Sequence, residues 1–166
     1  MSQRTRILIG VLILILIFGV FFGLDLIQYL KASSAQGNSG NVPAGSIPLY
    51  LNGELVATFA PGDLDHLGMM SFVESEQGKT EEGWLLRDVV LLHVSEGFLT
   101  PDSVIIVSSA SREKSAQLTW EEIQDLENKV LLDLSGRGTL KLVSRLEKLD
   151  TRDEWVQDVD RIEIET

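Results

Sequence analysis

Residues Ile7–Leu24 form an uninterrupted apolar run without one charged side chain. At 1.5 Å per residue such a run is about long enough to cross the hydrocarbon core of a bilayer as a helix. A helix satisfies its own backbone polar groups, which is what lipid demands of a spanning segment. The run can extend to Leu30, with Asp25 and Gln28 at its polar end. It predicts a transmembrane helix or signal anchor over residues 7–30, after a short cytoplasmic N-terminus at 1–6. Arg4 and Arg6 precede the run, and after Lys31 the next basic residue is Lys79. By the positive-inside rule this asymmetry places the remainder outside the cytoplasm, as a single-pass protein of the cell membrane. Ser33-Ser34-Ala35 leaves open cleavage as a secretory signal, which would export the domain equally.

Residues 31–46 are small, polar and Gly/Ser-rich, and read as a tether. Residues 47–166 read as one exported domain. Removing Arg4, Arg6, Lys31 and Asp25 from totals of 14 Lys+Arg and 25 Asp+Glu leaves 11 and 24, a net charge of −13. Such a surface repels phosphate backbones, so nucleic acid is not an expected partner. The chain has no cysteine. That removes disulfides, thiolate metal sites and cysteine nucleophiles together.

Asn52-Gly53 between two β-prone runs predicts a hairpin, because both turn positions need positive φ. Pro61-Gly62-Asp63 begins a short helical turn, Met69–Glu74 reads as a strand and Gln77–Gly83 as a polar loop. Trp84–Val94 carries apolar residues at helical spacing and predicts an amphipathic helix. Ser103–Ser108 is β-branched and strand-like, with Ser115–Leu118 returning beside it. Thr119-Trp120-Glu121-Glu122 is a capping-box pattern opening a helix. Val130–Leu134, Leu140–Val143 and the alternating Arg161–Glu165 segment complete the strands. The sum is an α+β domain, rich in β-structure, behind one transmembrane helix.

Candidate chemistry is sparse. Asp63-Leu64-Asp65-His66 cannot converge its ligands on a metal from one short turn. His93 sits on the apolar side of its segment and reads as a core or boundary histidine. No Gly-x-Ser-x-Gly elbow accompanies the serines. Asp150, Asp153 and Glu154 read as a solvated loop, Gly136-Arg137-Gly138 as a hairpin turn, and Trp84, Trp120 and Trp155 as core anchors.

The order of motifs resembles the molybdopterin-binding domain of the sulfite oxidase family. The residues that carry the resemblance are the Asn52-Gly53 hairpin, Gly83-Trp84-Leu85-Leu86-Arg87-Asp88-Val89-Val90, Val104–Ser109 followed by Leu118–Ile123, Gly138–Val143, and Trp155–Ile164. The match covers Pro48 to Ile164. It implies a sulfite-oxidase-like fold, with pocket candidates Arg112, Arg137 and Lys141. The family's molybdenum is held by a cysteine, which this chain lacks, so the resemblance implies a cofactor-free relative with neither molybdenum nor pterin. The expected function is a membrane-anchored, non-catalytic binding module, either an accessory subunit with a protein partner or a receptor for a small ligand. The alternative is a degenerate pterin-binding oxidoreductase or a carboxylate-dependent hydrolase.

Overall fold

The computed structural model describes residues 42–166. The expected segments at 1–6 and 7–30, and the tether up to residue 41, lie outside the described residues. Among the described residues, nine strands form two sheets. They are β1 (Ile47–Leu51), β2 (Glu54–Phe59), β3 (Met69–Val73), β4 (Thr80–Leu85), β5 (Val104–Ser109), β6 (Lys114–Thr119), β7 (Leu131–Leu134), β8 (Leu140–Val143) and β9 (Arg161–Glu165). The first sheet has the order β2-β1-β9-β5-β6 and the second β3-β4-β7-β8. Every pairing is antiparallel except β1 with β9.

Two short α-helices interrupt these strands, α1 (Leu86–Leu91) and α2 (Trp120–Gln124). The α+β class with a spanning helix is therefore corrected to a β-rich, two-sheet domain. A six-residue helix rises about 9 Å, against about 30 Å of hydrocarbon. Among the described residues no helix is long and apolar enough to cross a membrane. The membrane anchor and the extracytoplasmic location expected from the sequence thus find no support in the structure.

Local chemistry explains where the elements fall. Asn52 and Gly53 both have positive φ, 51° and 83°, so the β1–β2 turn has the mirror-image geometry that suits strand twist. The capping box forms: Glu122 N–H donates to Thr119 Oγ1 at 3.2 Å, and Thr119 N–H to the Glu122 carboxylate at 2.8 Å. The helix expected over Trp84–Val94 is shortened. Trp84 and Leu85 instead extend β4 and pair with Leu132 and Leu131. The expected loop at 77–83 is half strand, with β4 starting at Thr80. Gly83 is required there, because a Cβ would sit 2.3 Å from the Leu132 carbonyl oxygen.

Alternation along the strands separates two apolar layers. Leu49, Ile105, Val107, Leu118, Ile162 and Ile164 of the first sheet share one core with Trp84, Leu132, Leu140 and Leu142 of the second. The other face of the second sheet carries Phe72, Leu85, Leu131, Val143 and Trp155. That second face positions the candidate site.

Candidate anion-binding cleft

Three charged residues stand among the apolar ones on the second face. β4 contributes Glu81, β7 Asp133 and β8 Lys141, and the β-register places Lys141 directly opposite Asp133. The Lys141 ammonium pairs with Glu81 and lies 3.2 Å from Asp133. The Glu81 side chain is only 5% exposed, so its charge must be balanced locally. Arg152 provides a second cation 3.7 Å from Glu81. Burial and a hydrogen bond shared with Glu81 push Asp133 up to about 6, against the pull of Lys141.

Trp155 covers this cluster. Its ring lies 5.3 Å from the Lys141 ammonium and 5.5 Å from the Arg152 guanidinium. Its indole N–H donates to the Leu149 carbonyl at 2.9 Å, which fixes the ring. Arg152 is itself held from the side, donating to Gln77 Oε1 at 2.8 Å.

A second ionic hub stands on Asp158, whose φ of 54° is left-handed. Its carboxylate accepts hydrogen bonds from Thr139 Oγ1 at 2.7 Å, Arg112 Nε at 2.6 Å and Arg137 Nη2 at 3.1 Å. The Thr139 hydroxyl and the Arg112 guanidinium hold Asp158 below the usual carboxylate range.

Between the two hubs lies a cleft of about 230 Å³ lined by Arg112, Lys114, Arg152, Asp153, Trp155 and Gln157. Three cations, one carboxamide and one carboxylate line it, with Arg112 also paired to Asp158 and Arg152 to Glu81, in a region of the chain whose net charge is −13. The guanidinium groups are oriented by Asp158 and Gln77, which limits the entropy that a bound anion would have to remove. Chemically, the arrangement can hold a carboxylate or phosphate through charge-assisted hydrogen bonds.

The expected pocket residues divide. Arg112 lines the cleft, Arg137 meets it only through the shared Asp158, and Lys141 is committed to Glu81 and Asp133 beneath Trp155. Sequence reasoning missed Lys114, Arg152 and Gln157. Their one signal was basic residues recurring around a strand turn and before Trp155. Trp155 does anchor a core edge, and it floors the cleft as well.

His66, Asp63 and Asp65 are exposed, and Asp63 accepts the Ala60 N–H at 2.8 Å. His93 stacks on Phe59 at 5.8 Å, and burial lowers its pKa although Asp63 opposes this. Among the described residues no three His, Cys, Asp or Glu side chains gather as a metal site. A chain without cysteine cannot provide the thiolate ligand of the sulfite oxidase enzymes. No family model matches this chain, and no curated protein is significantly similar to it.

Proposed function

We propose that the two-sheet domain is a non-catalytic binding module that takes an anionic group of a small ligand or a protein partner in the Arg112–Lys114–Arg152 cleft. The observation that carries this reading is the convergence of three cations on one concave site in a strongly acidic domain. In motif order the chain resembles the molybdopterin-binding domain of the sulfite oxidase family, and the reading takes it as a cofactor-free relative. The hydrolase alternative needed a carboxylate pair at a pocket. Glu81 and Asp133 are such a pair, but Lys141 bridges them under Trp155 with Arg152 beside Glu81, and neither carboxylate lines the cleft.

Calorimetric titration of the full chain with citrate tests the reading. Binding at one site, weakening as salt rises and lost in Arg152→Glu, is expected. No heat at low salt, or equal heat from the variant, would overturn it.

A further inference from the structure

The ionic cluster under Trp155 reaches the anion cleft through Arg152, which belongs to both. Glu81 divides its carboxylate between two cations. Its Oε2 pairs with Lys141, and its Oε1 lies 3.7 Å from the Arg152 guanidinium. Lys141 is shared in turn, standing 3.2 Å from Asp133. Two carboxylates and two cations thus form a chain of ion pairs from Asp133 on β7 to Arg152 at the cleft. Arg152 is the member of that chain that lines the cleft.

The charge of the chain of pairs depends on one proton. With Asp133 ionised, two negative charges balance two positive ones. Lys141 is then divided between Asp133 and Glu81, and Glu81 draws on Arg152 as well. With Asp133 protonated, one carboxylate faces two cations. Lys141, the closer of the two to Glu81, satisfies it, and the Arg152 charge loses its balance on that side. The Glu81 and Asp133 side chains are 5% and 12% exposed, and that of Arg152 is 31% exposed. The surplus charge therefore sits on the member that reaches solvent.

The groups facing Asp133 are Glu81 from β4 and Lys141 from β8, under the Trp155 ring. Burial and the hydrogen bond shared with Glu81 bring Asp133 to about 6, against the pull of Lys141. Its proton is therefore exchanged in mildly acidic solution, where an ordinary carboxyl stays ionised.

Resting on the anion-cleft reading, we infer that Asp133 is a proton-operated regulator of anion binding in the cleft. Ionised, it divides Lys141, and Glu81 then competes with the ligand for Arg152. Protonated, it returns Lys141 to Glu81 and releases Arg152 to the anion. Affinity for an anion rises as the solution is acidified. A unit charge roughly 10 Å from an anion alters its binding about twofold in bulk water, and more at a protein surface. The coupling is reciprocal, so a bound anion favours the protonated Asp133 by the same factor.

Calorimetric titration of the full chain with sulfate, doubly charged at both pH values, tests this at pH 5 and pH 8 and constant ionic strength. Affinity should be at least threefold higher at pH 5, with binding lost in Arg152→Glu. Asp133→Asn fixes the neutral form. It should bind sulfate at pH 8 at least threefold more tightly than the unsubstituted chain and lose most of the pH dependence. Carboxyl-carbon resonances of the labelled, unsubstituted chain read the same coupling. Saturating sulfate should raise the Asp133 midpoint by about half a pH unit, the counterpart of a threefold preference. An equal pH dependence in Asp133→Asn, or an Asp133 midpoint unmoved by bound sulfate, would overturn the regulator. Sulfate that still binds and is still lost in Arg152→Glu would then leave the cleft reading standing. Absence of sulfate binding at both pH values would remove the two together.

Discussion

Replacing Lys141 by Met tests the ionic cluster under Trp155 directly. The substitution keeps an apolar stem of similar length against the ring and removes only the ammonium. Glu81 and Asp133, with side chains 5% and 12% exposed, then lose their principal counter-charge. Arg152, at 3.7 Å from Glu81, compensates in part. Breaking a buried pair by removing one partner costs about 3–5 kcal/mol, and the remaining arginine favours about 3 at pH 8. For a domain of this size that corresponds to a fall of about 12 °C in Tm.

The loss should depend on pH. Asp133 titrates at about 6 in the folded protein, against 3.8 ordinarily. A carboxyl raised on folding binds more protons in the native state, so it lowers stability as pH rises from the ordinary range through the folded value. Without Lys141 the folded value climbs further and the destabilising window extends upward. Thermal melts of the full chain and of Lys141→Met at pH 5 and pH 8 should therefore differ by less than half as much at pH 5. A fall under about 3 °C at pH 8, or the same fall at both values, would refute a charge-balancing role for Lys141.

Thr119→Ala removes the cap of α2 and should cost about 1 kcal/mol in chemical denaturation, with the slope unchanged. Gly83→Ala forces a methyl against the Leu132 carbonyl and should cost about 3 kcal/mol, read in the same assay. Asp158→Ala frees Arg112 and Arg137, so citrate affinity should change at least twofold by calorimetry, whereas Arg145→Ala, outside the cleft, should leave it unaltered.

Turns, caps and alternating strands were legible in the sequence because each is decided by neighbours in the chain. Asn52-Gly53 needs positive φ, Thr119 and Glu122 cap reciprocally, and Ile162 and Ile164 alternate with charges. Where distant residues decide, local reading failed. Thr80-Glu81-Glu82 looks like a solvated loop, yet Glu81 joins a strand because Lys141, sixty residues on, neutralises it. Trp84 and Leu85 have helical spacing but are captured by pairing with β7, which overrides propensity. The apolar run at 7–30 dominates the sequence, while the described fold is decided by the β-pattern after residue 46. The site was half visible. Arg112 lines the cleft, but its companions Lys114 and Arg152 come from a hairpin and a loop that only the fold brings together.

Binding of anionic groups in the Arg112–Lys114–Arg152 cleft is the central claim. Backbone and side-chain amide shifts of the isotope-labelled full chain, followed during a citrate titration, test it most directly. Saturable changes should gather at Arg112–Ser115, Arg152–Gln157 and the Gln157 carboxamide, and be absent in Arg152→Glu. Changes scattered over Lys79, Lys129 and Arg145 as well, linear in citrate and unaffected by the substitution, would contradict it.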